Sequence, residues 1–250
     1  MHNTNYIIRF VLVMTVVVAL VLSMMYTGLK SVHQVNEAVY NKKAILSAVA
    51  NQLGKDVVKL SNQEVETIFS SQIDQKVLDM TGKELTPDEV KAATGGVAST
   101  ADKIDMGKEM KKPENQRLLP LYIFKASDGK SYNIVSVRGK GLWDEIWGNV
   151  ALEDDWSTVA GVSFDHKGET PGLGAEIKDN QAWVNQFIGK NIYNKDGIFT
   201  SVKIIKAGAR DQSYQVDGIS GATITADGVD EMLERGLKYY EPYIIKNKKS

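Results

Sequence analysis

The feature that most constrains this chain is an apolar run near its start, Ile7 to Met25, "IIRFVLVMTVVVALVLSMM", in which Arg9 is the only charge. Roughly 20 apolar residues are enough for a helix to cross a bilayer. A weaker apolar tail continues the run from Tyr26 to Leu29. Arg9 lies near one end, where a long side chain can reach the headgroups. The rival reading is a cleaved secretory signal, which needs a short apolar core and small residues at the cleavage site. The following residues, "MMYTGLKSV", have no such pattern and no lipoprotein cysteine. The expectation is an uncleaved single-pass anchor over residues 1–29, with the rest of the chain folding outside the bilayer.

The chain has 250 residues, 43% hydrophobic and 24% charged, values usual for a globular domain. Its formal net charge of -1 supplies no basic face for phosphate backbones, so nucleic acid is not an expected partner. Cysteine is absent, which excludes disulfides, a thiolate nucleophile and a cysteine-ligated iron–sulfur cluster. The histidines, His2, His33 and His166, are scattered, and no pair has metal-ligand spacing.

Beyond the anchor, Val32, Val35, Val39, Ile45, Leu46 and Val49 recur as on one face of a helix. Ser61 with Glu64, and Thr86 with Pro87 and Glu89, are capping-box patterns that start further helices. Val65, Ile68, Phe69 and Ile73 form the apolar face of the first. Residues 95–116 read as a polar loop. From residue 118 the texture changes to short strands: "LYIFKA" and "SYNIVSVRGKG" around an Asp-Gly turn, then "WGNVALE", "VAGVSFDHKG", "SVKIIKAG" and "YQVDGI". "NQAWVNQFIGK" has a short helical pattern. A last helix is expected from Asp227 to about Ile245, with Val229, Met232, Leu233, Leu237 and Tyr240 on one face. The fold class is α+β, an antiparallel sheet with packed helices. Residues 30–117 form a helical membrane-proximal region, and 118–250 carry the sheet.

Three stretches can carry chemistry. "DGISGATITADG", Asp217 to Gly228, places Ser220, Gly221, Ala222 and Thr223 ahead of the last helix. Small residues let a backbone approach a ligand, and a helix start favours an anion; the plain alternative is a capped turn. "HKGETPGLGAEI", His166 to Ile177, has glycines (Gly168, Gly172, Gly174) that would let it wrap a flat ligand. Glu169 and Thr170 could bond such a ligand's polar edge and Leu173 could cover its face; here the alternative is a glycine-rich turn. "RGKGLWDEIWG", Arg138 to Gly148, sets Trp143 and Trp147 four apart, a spacing that fits one helical face.

Taken together, these three stretches resemble the FMN-binding domain family found in the C subunit of the Na⁺-translocating NADH:quinone oxidoreductase. The G subunit of the Rnf electron-transport complex carries the same domain type. The motif Asp-x-x-Ser-Gly-Ala-Thr is matched at Asp217, Ser220, Gly221, Ala222 and Thr223, and "GETPGLG" at Gly168 to Gly174. The resemblance implies an FMN-binding domain over 118–250, with one FMN per chain. A flavin transferase would join the FMN phosphate to Thr223 as a phosphoester. Glu169, Thr170, Gly172, Leu173 and Gly174 would lie at the ring, with Trp143 nearby. Thr225 is expected instead to be the N-cap of the last helix.

The resemblance further implies a membrane-bound electron carrier, taking electrons from an iron–sulfur centre in another subunit and passing them to a further flavin on the way to quinone. The chain has no G-x-G-x-x-G of its own for NADH and no acid inside its span, so it is not expected to be active alone. A literal count of Lys30, Lys42 and Lys43 against Arg9 would keep the domain in the cytoplasm. Long domains translocate largely regardless of charge, and the family implies the periplasmic side of the inner membrane. The alternatives are the Rnf subunit, a non-enzymatic anchored module that binds flavin or phosphate reversibly, and a structural anchor with a chance "SGAT".

Overall fold

In the computed structural model, which describes residues 4–248, the apolar run is part of helix α1 (Thr4–Ser47). His2 and the outermost residues 1 and 250 of the expected regions lie outside the described residues. The chain divides into two compact units, Met1–Tyr40 and Asn41–Ser250. In the first, the side chains of the apolar run are exposed along the helix, and α1 is long and apolar enough to cross a membrane. The amphipathic stretch that follows continues α1 to Ser47 without a break, because no glycine or proline interrupts it between Ser31 and Ser47.

The second unit opens with α2 (Ala50–Leu53), then α3 (Asn62–Gln72), strands β1 (Ile73–Leu78) and β2 (Glu84–Leu85), α4 (Pro87–Ala93) and α5 (Met106–Glu109). Both expected capping boxes form. Ser61 Oγ accepts from Glu64 N–H at 3.3 Å and Glu64 Oε2 accepts from Ser61 N–H at 2.8 Å. The Thr86–Glu89 pair repeats this at 3.3 and 2.8 Å. Ile73, expected on the helical face behind Ser61, is instead the C-cap of α3 and the first residue of β1. The 30–117 stretch, expected to be helical, thus also contributes β1 and β2 to the sheet. Residues 95–116, expected to be loop, hold α5 and two single turns of 3₁₀ helix.

Strands β3 (Leu119–Lys125), β4 (Ser131–Lys140), β5 (Glu145–Leu152) and β6 (Val159–His166) complete a six-stranded sheet. Its order is β2-β1-β3-β4-β5-β6, and every pairing in it is antiparallel. Short helices α6 (Glu176–Asp179) and α7 (Gln181–Val184) follow, then β7 (Lys203–Ile205) and β8 (Gln215–Asp217). These last two strands stand apart as a two-stranded parallel sheet.

Helix α8 (Thr223–Asn247) starts four residues earlier than expected and lies on one face of the large sheet. Its expected apolar face, Val229, Met232, Leu233, Leu237 and Tyr240, is buried, each large side chain contributing about 1.5–3 kcal/mol. Glycines on both surfaces let the backbones approach. A Cβ on Gly139 of β4 would come within 2.7 Å of Met232 Cβ, and one on Gly236 within 2.6 Å of Val137 Cγ1. One on Gly228, in the second turn, would overlap the Lys140 carbonyl. The Tyr240 hydroxyl donates to the Pro120 carbonyl at 2.9 Å and accepts from Ser136 N–H at 3.3 Å. On the other sheet face, Ser163 Oγ donates to the Ala44 carbonyl at 2.7 Å. The large sheet and α8 together bring the end of β4, the loop after β6 and the start of α8 to one place.

Candidate functional site

The site is built around one buried carboxylate. Strand β6 ends at His166, and the chain turns as Glu169 N–H donates to His166 Nδ1 at 3.1 Å. Glu169 is only 5% exposed. Its Oε1 accepts from Trp143 N–H at 2.9 Å, and its Oε2 accepts from the Thr225 hydroxyl at 2.6 Å. One side chain therefore ties together all three stretches singled out in the sequence. A buried carboxylate is costly unless hydrogen-bonded, and here both oxygens have a donor.

The neighbouring glycines make room for this carboxylate. A Cβ on Gly174 would lie 2.6 Å from Thr225 Oγ1 and overlap Glu169; one on Gly141 would lie 2.9 Å from Glu169 Cδ. Beyond Glu169 the loop closes on itself, as Leu173 N–H and Ala175 N–H both donate to the Thr170 carbonyl at 3.1 Å. Trp143 Nε1 donates to Thr170 Oγ1 at 3.1 Å, laying the indole on the same loop. The Lys167–Asp144 ion pair, 2.9 Å, joins the same two loops at the surface. Its hydrogen bond holds Asp144 below and Lys167 above their usual values. Being exposed, this pair contributes little.

The start of α8 stands beside this loop. Gly221 has φ +75, a conformation that strains any residue with a Cβ, and the Leu173 side chain packs over it. Ala222 is the N-cap, and no side chain caps the helix. The N–H groups of the first turn thus remain available, at the positive end of the dipole of a 25-residue helix. Thr223 is the first helical residue and is exposed, as are Ser220 and Gly221. Around them stand apolar side chains left in the open: Trp143 at 66%, Ile224 at 58%, and Leu142 and Leu173. Exposed apolar groups gathered beside polar donors are the kind of surface that a bound ligand would cover.

Several expected site residues sit differently. Thr225 is not the N-cap: it lies inside the first turn, 1% exposed, with its hydroxyl committed to Glu169. Trp143 and Trp147 do not share a helical face, because Trp147 lies in β5 and Trp143 in the turn before it. Glu169 turns its carboxylate inward, to Trp143 N–H and Thr225. Asp217 accepts from Ala209 N–H at 2.8 Å, and its carbonyl accepts from Trp183 Nε1 at 2.6 Å. It therefore fixes the small sheet below the "SGAT" turn. Gly172, with φ +74, shapes the outer bend of the loop. Thr225 and Gly141 are the supporting residues that the sequence did not reveal. Among the described residues, no cluster of His, Asp and Glu could hold a metal ion.

Residues 141–238 match the FMN-binding domain family, a span that takes in two of the stretches whole and the third from Gly141 onward. The C subunit of the Na⁺-translocating NADH-quinone reductase from Vibrio alginolyticus is 31% identical, over 93% of this chain and 91% of its own length. The corresponding C subunit of Pseudomonas aeruginosa is 34% identical, over 89% of this chain and 88% of its own length. The crystal structure of the C subunit from Parabacteroides distasonis superposes with a TM-score of 0.71 at 31% identity, covering 86% of this chain and 96% of that one. On that likeness of sequence and fold, the chain belongs to the family of C subunits of the Na⁺-translocating NADH-quinone reductase, an oxidoreductase complex.

Proposed function

We propose that this chain is a membrane-anchored electron carrier whose FMN is joined through its phosphate to Thr223, one flavin per chain. The observation that carries the reading is the start of α8. An exposed threonine hydroxyl stands on an uncapped turn, beside a glycine-lined loop and a set of exposed apolar side chains. A phosphate at Thr223 would meet the first-turn N–H groups and the positive helix end. Gly221 adopts its left-handed conformation without strain and, having no Cβ, lets the Leu173 side chain pack against the backbone there. Trp143, Leu173 and Thr170 offer apolar and hydrogen-bonding surface for a flat ring, with Glu169, Gly172 and Gly174 holding the loop that presents them. When bound, FMN supplies one- and two-electron chemistry, while the chain supplies position and electrostatics.

The partners on this reading are the other subunits of the Na⁺-translocating reductase, the membrane, and a flavin transferase that matures the chain. The relatives at 31% and 34% identity are C subunits of that reductase, which favours this assignment over the Rnf G subunit. The domain is placed on the periplasmic side of the inner membrane. A reporter fused after residue 250 should be active only outside the cytoplasm, and activity inside would overturn that placement.

The decisive experiment is to co-express the chain with the transferase and run it on a denaturing gel. Yellow-green flavin fluorescence in the band, with an adduct on Thr223 by peptide mass spectrometry, is the expected result. Flavin released on denaturation would point to a reversible module, and no flavin at all to a purely structural anchor.

A further inference from the structure

The chain offers two threonine hydroxyls at the start of α8, and the structure treats them oppositely. Successive helical residues turn about 100°, so Thr223 and Thr225 point about 200° apart. Thr223 is exposed, whereas Thr225 is buried and donates to Glu169 Oε2 at 2.6 Å. The buried face of α8 sets the rotation of the helix further along, and that bond holds the first turn to it. No side chain caps the turn to do the same. The bond is also guarded: a Cβ on Gly174 would press on both of its partners, and one on Gly141 on the carboxylate. The other oxygen of Glu169 holds Trp143 N–H, so the same carboxylate sets the wall next to the turn.

We propose that the Glu169–Thr225 pair is the positioning device that selects the flavin acceptor. It holds the first turn so that Thr223 faces outward, and it removes Thr225 from competition. This rests on the reading of Thr223 as the attachment site. In the attachment step the Thr223 oxygen forms a bond to the flavin-side phosphorus of a flavin dinucleotide. The phosphoanhydride bond of that dinucleotide breaks, the nucleoside monophosphate leaves, and the hydroxyl proton goes to base. Nothing is oxidised or reduced. Glu169 and Thr225 touch neither reactant; they act through the orientation of Thr223.

The test uses the full chain with the transferase and a flavin dinucleotide, following in-gel fluorescence with time and mapping the adduct by mass spectrometry. Thr225→Val keeps the side-chain shape and removes the donor. Glu169→Gln keeps the shape and turns an N–H₂ towards one of the two donors. Both should slow incorporation at Thr223 by about tenfold or more, through kcat rather than the KM for the chain. Thr225→Ser, which restores the donor, should return the rate to within about twofold of wild type. Melting curves identify a variant that does not fold, and Glu169→Gln then decides in place of Thr225→Val.

Incorporation at the wild-type rate in a folded variant lacking the bond would overturn the proposal, as would failure of Thr225→Ser to restore it. A wild-type chain loaded at Thr223 with indifferent variants would refute only the role of the pair. A wild-type chain that takes no covalent flavin would overturn the functional reading and this inference with it.

Discussion

Helices α3 and α4 begin in one way and α8 in another, although the sequence places small hydroxyl residues ahead of each. At Ser61 and Thr86 the hydroxyl accepts from the third helical N–H, and the glutamate there reaches back to the cap N–H. The helix end is closed by its own side chains. At Thr223 no side chain caps the turn, and the hydroxyl is left outside. The carboxylate beside it, Glu169, bonds to Thr225 from beneath. A helix that closes its own N-terminus has satisfied its donors locally. One that leaves it open, while being held from below, leaves its first-turn donors unpaired by side chains. The difference separates a structural helix start from the one proposed here to take a phosphate.

The largest expected effect breaks the open start itself. Thr223→Ala should abolish covalent flavin completely, read as loss of in-gel fluorescence. Thermal stability should change by no more than about 0.5 kcal/mol, because an exposed side chain is trimmed. Covalent flavin surviving in this variant would collapse the distinction between the two kinds of start. Next in size is Gly174→Ala. The added methyl would sit 2.6 Å from Thr225 Oγ1 and press on Glu169, so a destabilisation of about 1–3 kcal/mol is expected, together with reduced flavin loading. Denaturant unfolding of the unloaded chain measures the first, and an unchanged midpoint would mean that the Glu169–Thr225 contact is looser than the structure has it.

The closed starts are legible in the sequence because everything that makes them lies within four residues. Ser61 and Glu64, or Thr86 and Glu89, meet whatever the rest of the chain does. The open start is only half legible. Thr223 and "GETPGLG" stand out by motif, but the role of Thr225 depends on a partner 56 residues away, and no local rule pairs them. Position alone makes Thr225 resemble a cap. Strand β1 is hidden for a related reason. Phe69, Ile73 and Val77 follow one another at helical spacing, so the periodicity runs straight through the point where α3 ends. Only pairing with β3, from Ile73↔Phe124 to Leu78↔Leu119, makes this segment a strand. The tryptophan pair misleads similarly: a spacing of four is shared by helices and by a turn running into a strand. The buried face of α8 is plain in the sequence since five apolar positions over three turns outweigh any single coincidence.

Returning to the closed starts, Ser61→Ala should cost about 1 kcal/mol, the usual value for a lost N-cap. Its effect on flavin loading should be nil, as the change lies outside the three stretches of the site. Chemical denaturation and the fluorescent gel together check this. A loading defect in Ser61→Ala would show that the two kinds of start are coupled.

The smallest effect belongs to the acid side of the same boxes. Glu89 is bonded by Lys83 Nζ at 2.7 Å and by the Thr86 N–H and hydroxyl at 2.8 and 3.0 Å. These bonds, the one from Lys83 first among them, hold its carboxyl down from an ordinary 4.5 to about 2. The folded-state value is thus the lower one. The stabilisation is fully present above about pH 4.5 and is lost as the pH falls through about 2. Glu64, bonded first by the Ser61 hydroxyl and then by its N–H, is lowered in the same sense. NMR titration of the Glu89 carboxyl should therefore show a midpoint near 2. Lys83→Met should move it upward while leaving the Thr86 bonds in place. Added salt should act in the same direction, because the ion pair is exposed. A Glu89 midpoint at the ordinary value would mean that α4 is not closed in solution, and that its start differs less from that of α8 than the geometry implies.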